Sequence, residues 1–332
     1  MISESPCMSF EPSGVLALCN AFEPAICKTV FQDKYSSSVK TYHVVKHLKA
    51  RGEELDLMDN ASYRTAIKEL QKFSRYHAGL IKGFAGERKA FYAVKHALNA
   101  GIQLTNVELS YEGERNEYDQ ILLTRHGLII IEVKNYSCDS IIEPNGILKT
   151  QDDPFITYNI GERMGSKSYV LRQIASQAIG RSLLDNEIRC IVVNANDTTR
   201  MSNKFDLLET LCLGNLERRI RELMNDDTCL SSEEVSAVYS AINTLGHPSQ
   251  AAPSIDFDYV ATTLHRAISL IEQAAKKREA ETESFFESHE VEHDVSKTNG
   301  QSQHNNTVAI SITALLSLAL GAASGYAFAK LV

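Results

Sequence analysis

From Gly127 to Lys134 the chain reads Gly-Leu-Ile-Ile-Ile-Glu-Val-Lys. A short aliphatic run of this kind is a buried strand. Residues two apart on a strand share a face, so Glu132 and Lys134 point one way while Ile131 and Val133 point the other. Burying ionised groups without partners is costly, so whatever the chain folds into must bring charge or metal to this strand end. Upstream, Tyr118–Thr124 (YDQILLT) reads as a second strand, and Arg125-His126-Gly127 reads as a hairpin turn. A hairpin of that length sets Asp119 beside Glu132. Two carboxylates converging on one point suit a hard divalent cation such as magnesium, which takes oxygen ligands and keeps several waters. The neighbouring Lys134 ammonium can then orient a water or stabilise charge on a transferring phosphoryl group. A bare E-x-K tripeptide is equally a surface ion pair. The combination of an Asp-bearing strand, a turn, an apolar strand and E-x-K says more.

Helix and strand signals alternate around this hairpin, which predicts an α/β fold. Residues 1–60 show no trustworthy period. Ser62–Leu80 has apolar residues at helical spacing, and Gly83 and Gly86 are expected to separate it from a second helix, Glu87–Asn99, stopped by Gly101. Leu104–Leu109 precedes the hairpin as a strand, and short strands near Ile141–Ile142 and Gly146–Lys149 are expected to continue the same sheet. Helices are expected at Tyr169–Leu184, Asn215–Leu223, Glu233–Leu245 and Tyr259–Glu279, with a buried strand at Arg189–Val193. Residues 281–306 are acidic and polar, and they read as a solvated linker.

The next segment, Thr307–Ala329, has no charged residue. As a helix it would be roughly 34 Å long, enough for a hydrocarbon core of about 30 Å. The expectation is a single C-terminal transmembrane anchor, inserted after translation, with the large domain facing the cytoplasm. Gly321 and Gly325 form a G-x-x-x-G that would let two such helices pair as a homodimer. The seven cysteines contain no CxxC pair, which argues against a disulfide framework or zinc cluster and for a reducing compartment. A net charge of −8 excludes a protein that attracts nucleic acid over its whole surface, but not one with a local basic face.

The stretch Gly83–Val193 resembles the NERD (nuclease-related) domain of the PD-(D/E)xK nuclease superfamily. The resemblance rests on Gly86-Glu87, on Glu117–Thr124, and on Gly127–Tyr136 with its E-V-K-N-Y. It extends more loosely to Leu245. The resemblance implies a restriction-endonuclease-like mixed sheet flanked by helices. It also implies Asp119 and Glu132 as magnesium ligands (manganese a substitute), with Lys134 beside the attacking water. Glu87 matches the superfamily's first-helix acid, and it would also serve as a carboxylate favoured by a helix N-terminus. Gln173 matches a polar position on the second core helix. The family's Asn-Pro-x-x-Gln-like stretch is replaced here by Asn159-Ile160-Gly161-Glu162-Arg163. Arg163, Lys167, Arg172 and Arg181, with no acid among them, are candidates with Gln173 for holding a phosphate backbone. They read equally as a solvated helix face.

His289-Glu290-Val291-Glu292-His293 matches the zinc-protease H-E-x-x-H, but it sits in an acidic stretch without the apolar helix that motif needs. The expected organisation is a partly helical region at 1–80, a nuclease-like domain at 81–245, a helical extension at 246–280, the linker at 281–306 and the membrane helix at 307–329. The expected function is membrane-anchored, magnesium-dependent hydrolysis of nucleic acid, DNA ahead of RNA. The alternative is an inactive nuclease-like module that tethers nucleic acid or a protein partner at the membrane.

Overall fold

A computed structural model describes residues 14–151, 157–248 and 253–290. The predicted membrane helix, Gly321 and Gly325, and most of the predicted linker lie outside these residues. The chain divides into two compact units, one built on residues 79–252 and the other on residues 15–78 together with the segment from 253 onward.

The second unit is helical. Among the described residues it holds α1 (Gly14–Phe31), α2 (Thr41–Glu54), the first part of α3 (Ala61–Ala97) and α7 (Phe257–Glu290). Phe22, Phe73 and Phe257 meet edge to face, with ring centroids 4.9–6.0 Å apart. Buried Glu23 accepts from Thr41 N at 3.0 Å and Thr41 Oγ1 at 3.1 Å, which satisfies the first donors of α2. Gly14–Lys34 is the one described helical segment long and apolar enough to cross a membrane. Leu16, Cys19, Ile26 and Cys27 on it are buried within this unit, as for a core helix. Residues 281–290, the start of the expected linker, are helical, because α7 runs on to Glu290. Its Lys/Arg/Glu/Ala-rich residues are strong helix formers, and Lys277 pairs with Glu281 one turn on at 3.7 Å.

The first unit is mixed α/β, built on two sheets. The larger has six strands. β1 (Ile102–Tyr111), β2 (Glu114–Thr124) and β3 (Gly127–Lys134) form an antiparallel meander. β7 (Ile188–Asn194) and β9 (Glu209–Cys212) continue it in parallel, and β10 (His247–Pro248) closes the far edge beside β1. The expected hairpin is present, with Thr124 opposite Gly127 across Arg125-His126. The short strands do not extend this sheet as expected. β4 (Ser140–Ile142) and β5 (Ile147–Thr150) form a separate four-stranded sheet with β6 (Thr157–Asn159) and β8 (Met201–Asn203).

One face of the large sheet buries Ile130, Leu128, Ile121 and Leu123 against α4 (Ile160–Ile179) and α6 (Ser232–Leu245). The other buries Ile129, Ile131 and Val133 against Ala90, Val94 and Ala97 of α3 and Leu216, Ile220 and Leu223 of α5 (Leu213–Leu223). The alternation along β3 therefore serves two cores. α4 starts nine residues before the expected Tyr169, because the Asn159 side chain accepts from Glu162 N at 3.0 Å and caps it. It ends at Gly180 in the left-handed conformation.

Gly83 and Gly86 do not break the chain, because both lie inside the single helix α3. Gly86 is there for proximity: a Cβ on it would come within 2.9 Å of Asn135 Cβ and 3.1 Å of Ala195 Cβ. A Cβ on Gly83 would meet nothing nearer than Glu87 Oε1 at 3.7 Å. Gly83→Ala should therefore stabilise the protein by about 0.5–1 kcal/mol through helix propensity. Gly86→Ala should destabilise it by about 1–3 kcal/mol through overpacking. Urea melts of the two variants beside wild type check the opposite signs.

Candidate active site

The cleft forms where β2 and β3 separate. Their paired register stops at Gln120 opposite Ile131. The next donor, Val133 N, bonds instead to Asp119 Oδ2 at 2.7 Å, so this carboxylate stands at the C-terminal end of strand β3 beside Glu132. A kink shared by β1 and β2 puts it there. Leu104 of β1 and Ile121 and Leu123 of β2 pack on the α4 face, yet so do Val107, Leu109 and Tyr118. Strict alternation forbids this, so both strands flip faces between those positions. The flip is centred on Asn106 and Asp119, the one position missing from an otherwise unbroken register. Asn106 has φ +52°, a left-handed value that asparagine tolerates better than most residues.

Glu132 is buried and holds two ammonium groups. Lys134 Nζ donates to its Oε1 at 2.6 Å, and Lys167 Nζ, from α4, donates to its Oε2. Lys134 Nζ also lies 5.5 Å from the ring centre of Tyr158, with the Arg163 guanidinium 5.3 Å from the same ring. Tyr158 is held by Tyr136, their hydroxyls 3.2 Å apart. The residue after the E-x-K has its own task. Asn135 Nδ2 donates to Lys82 O at 2.6 Å, and Gly86 lets α3 approach it, which brings the next residue, Glu87, into the cleft.

The resulting cleft, about 640 Å³, is lined by Glu87, Asp119, Glu132, Lys134, Arg163 and Lys167, with Glu108, Arg115, Asn116 and Glu117 on the β1–β2 hairpin. The five backbone-binding candidates separate into two groups. Arg163 and Lys167 face the cleft, and Lys167 is buried against Glu132 rather than displayed on a solvated face. Arg172 donates to Leu183 O at 2.8 Å, and Arg181 grips Glu187 with two nitrogens and Glu234 with a third, so both are structural ties outside the cleft. Gln173 is half-buried and does not line the cleft. Sequence reading missed Tyr158, Asn106 and the pairing of Lys167 with Glu132. Only the last carried a signal, a lysine at the helical spacing of buried Met164, Val170 and Leu171.

The electrostatics divide the three acids. Burial opposes the charge on Glu132, but Lys134 and Lys167 hold its pKa down to about 2. Burial also works against the Lys134 ammonium, yet Glu132 keeps its pKa well above the ordinary lysine value. Burial and the charge of Glu132 raise Asp119 to about 6. Burial, then Asp119 and Glu117, raise Glu87 to about 8. Among the described residues, no three His, Cys, Asp or Glu side chains are grouped closely enough to hold a metal. Asp119 and Glu132 nevertheless fit a hydrated magnesium ion, which uses one or two carboxylates and retains waters. Asp119 Oδ1 accepts no hydrogen bond among the described residues.

A carboxylate with a raised folded pKa binds more protons folded than unfolded. The stability it contributes is complete below its unfolded value and is lost as pH rises through the folded one. For Glu87 that window runs from about 4.5 to about 8. In EDTA, Glu87→Gln should melt with wild type near pH 4.5 and some degrees above it at pH 8.5. A gap independent of pH would contradict this assignment of the acid.

Residues 82–194 match the family of nuclease-related domains, NERD. No curated protein and no solved structure matches the chain. The match begins just before Gly86-Glu87 and ends at Asn194, the last residue of β7. It therefore takes in Glu87, Asp119, Glu132, Lys134 and Lys167.

Proposed function

We propose that this domain is a magnesium-dependent nuclease that hydrolyses phosphodiester bonds of nucleic acid, DNA ahead of RNA, with manganese able to substitute. The observation that carries the reading is Asp119 and Glu132 side by side at the strand end, with Lys134 2.6 Å from Glu132 inside a cleft. Asp119 and Glu132 would hold the ion. Once bound, it supplies Lewis-acid chemistry, polarising a phosphoryl oxygen and making water a better nucleophile. Lys134, fixed between Glu132 and the Tyr158 ring, places the water and faces the charge that grows on the phosphoryl oxygens. Arg163 holds the backbone without reading bases.

Cleavage of mixed DNA and RNA by the full chain should require magnesium or manganese and stop in EDTA. Lys134→Ala and Asp119→Ala should each lower it by about 100-fold or more. Undiminished cleavage by folded Lys134→Ala would remove the mechanism. No cleavage under any condition, with binding that weakens steeply with salt, would instead favour the tethering module.

We further infer that the uncharged segment 307–329 holds the domain at a membrane, its cytoplasmic side carrying the nuclease. Pairing through Gly321 and Gly325 is part of this reading. The expressed chain should sediment with membranes after alkaline carbonate washing and become soluble when 307–332 is deleted. Wild-type protein released by carbonate would argue against the anchor.

A further inference from the structure

The cleft holds a second ammonium to which the chemistry above gives no task. Lys167 lies one turn beyond Arg163 on α4, 6% exposed, where an unpaired lysine is rarely found. With Lys167 on Oε2 and Lys134 on Oε1, each oxygen of Glu132 accepts from one ammonium. A cation arriving at Asp119 and Glu132 therefore meets a carboxylate with two positive charges beside it.

The two lysines are held differently. Lys134 sits on the strand, two residues from Glu132 and against Tyr158. Lys167 reaches in from a helix. Its backbone is fixed, since Tyr118 Oη donates to Lys167 O at 2.7 Å, but its head is carried on four methylenes past the Tyr118 ring, 5.6 Å from the ring centre. A flexible stem bearing a compact charge suits a group that changes partners. Lys167 and Arg163 both line the cleft from the same helix, so a displaced Lys167 would remain beside the guanidinium proposed above to hold the backbone.

We propose that Lys167 is an exchangeable counter-ion, bound to Glu132 when no divalent cation is present and transferred to a substrate phosphate when the cation takes Glu132. This rests on the metal-centre reading above. Divalent cation and phosphodiester would then bind cooperatively, each removing an obstacle to the other.

The full chain, wild type and Lys167→Met, is titrated with Mn²⁺, the free ion being followed by electron paramagnetic resonance. An oligodeoxynucleotide is titrated in Ca²⁺ and in EDTA. Loss of a positive charge beside Glu132 should tighten Mn²⁺ binding in Lys167→Met by about tenfold. The same variant should bind the oligodeoxynucleotide about tenfold more weakly in Ca²⁺ and equally in EDTA. A merely structural lysine would give neither the tighter metal nor the difference between Ca²⁺ and EDTA. Unchanged or weaker Mn²⁺ binding by a folded variant, or an equal loss with and without Ca²⁺, overturns the exchange.

Wild type carries the test if the variant does not fold. Ca²⁺ with oligodeoxynucleotide should change acylation of Lys167, read by mass spectrometry, relative to EDTA, while Lys134 stays constant; no change at Lys167 overturns the proposal. Asp119→Asn separates the two readings. If it binds Mn²⁺ as wild type does, the metal centre fails and the exchange with it. If it binds more weakly while Lys167→Met is unaltered, the exchange alone fails.

Discussion

A carboxylate buried at the end of an aliphatic strand is the constraint around which the α/β unit is arranged. Burial alone would drive Glu132 toward its neutral form, and Lys134 and Lys167 hold its pKa down to about 2. One of these cations comes free with the strand, two residues on. The other has to be brought across the sheet face by the connection from β3 to β7. Several local features serve that delivery. Asn159 caps α4 early enough for Lys167 to fall on its buried face, and the Tyr118 hydroxyl pins the helix backbone at that same residue. Removing one cation from such a triad leaves a buried charge short of compensation, which is why paired buried charges are costly to break even where they stabilise little.

Two departures from regular geometry bring the other acids to Glu132. The shared flip of β1 and β2 at Asn106 and Asp119 turns one carboxylate out of the ladder and onto Val133 N. The bare Cα of Gly86 lets α3 lie against Asn135, so that Glu87 arrives from the opposite side. Left-handed backbone at a non-glycine residue and glycine inside a helix are both unfavourable locally. Their coincidence at one cleft follows if position there matters more than local stability.

Much of this was legible in the sequence, and the reasons are physical. The hairpin and β3 announce themselves because period-two and all-apolar patterns have few other solutions. The adjacency of Asp119 and Glu132 then follows from counting residues back from the turn. Other features needed three dimensions. Gly83 and Gly86 look like helix stops, since a sequence does not show that one of them abuts another element. The short strands after Lys134 carry too little pattern to say which sheet they join. The early start of α4 could have been read from Asn159 and Glu162, three apart, the pairing of a helix N-terminus. Arg172 and Arg181 look like phosphate ligands on composition alone. Their carbonyl and carboxylate partners lie beyond the helix, on Leu183, Glu187 and Glu234, and a basic helix does not say which of its cations are already spent.

The charge sum of the cleft bears on the choice between the proposed nuclease and the tethering alternative. Five carboxylates (Glu87, Glu108, Glu117, Asp119, Glu132) face four cations (Arg115, Lys134, Arg163, Lys167). Arg115 is bound to Glu108 at 2.6 Å, and both lysines are bound to Glu132. Of the four, Arg163 is the cation without a carboxylate partner among the described residues. In a chain of net charge −8, such a cleft is a poor receptor for a polyanion by itself. A simple tether would have little use for acids lining its binding surface, because each one repels the phosphate it must hold. A divalent cation bound there would reverse the balance, neutralising the acids and attracting phosphate at one point. Under the proposed nuclease reading these acids would make substrate binding conditional on metal, whereas a module that only held nucleic acid would be better built without them.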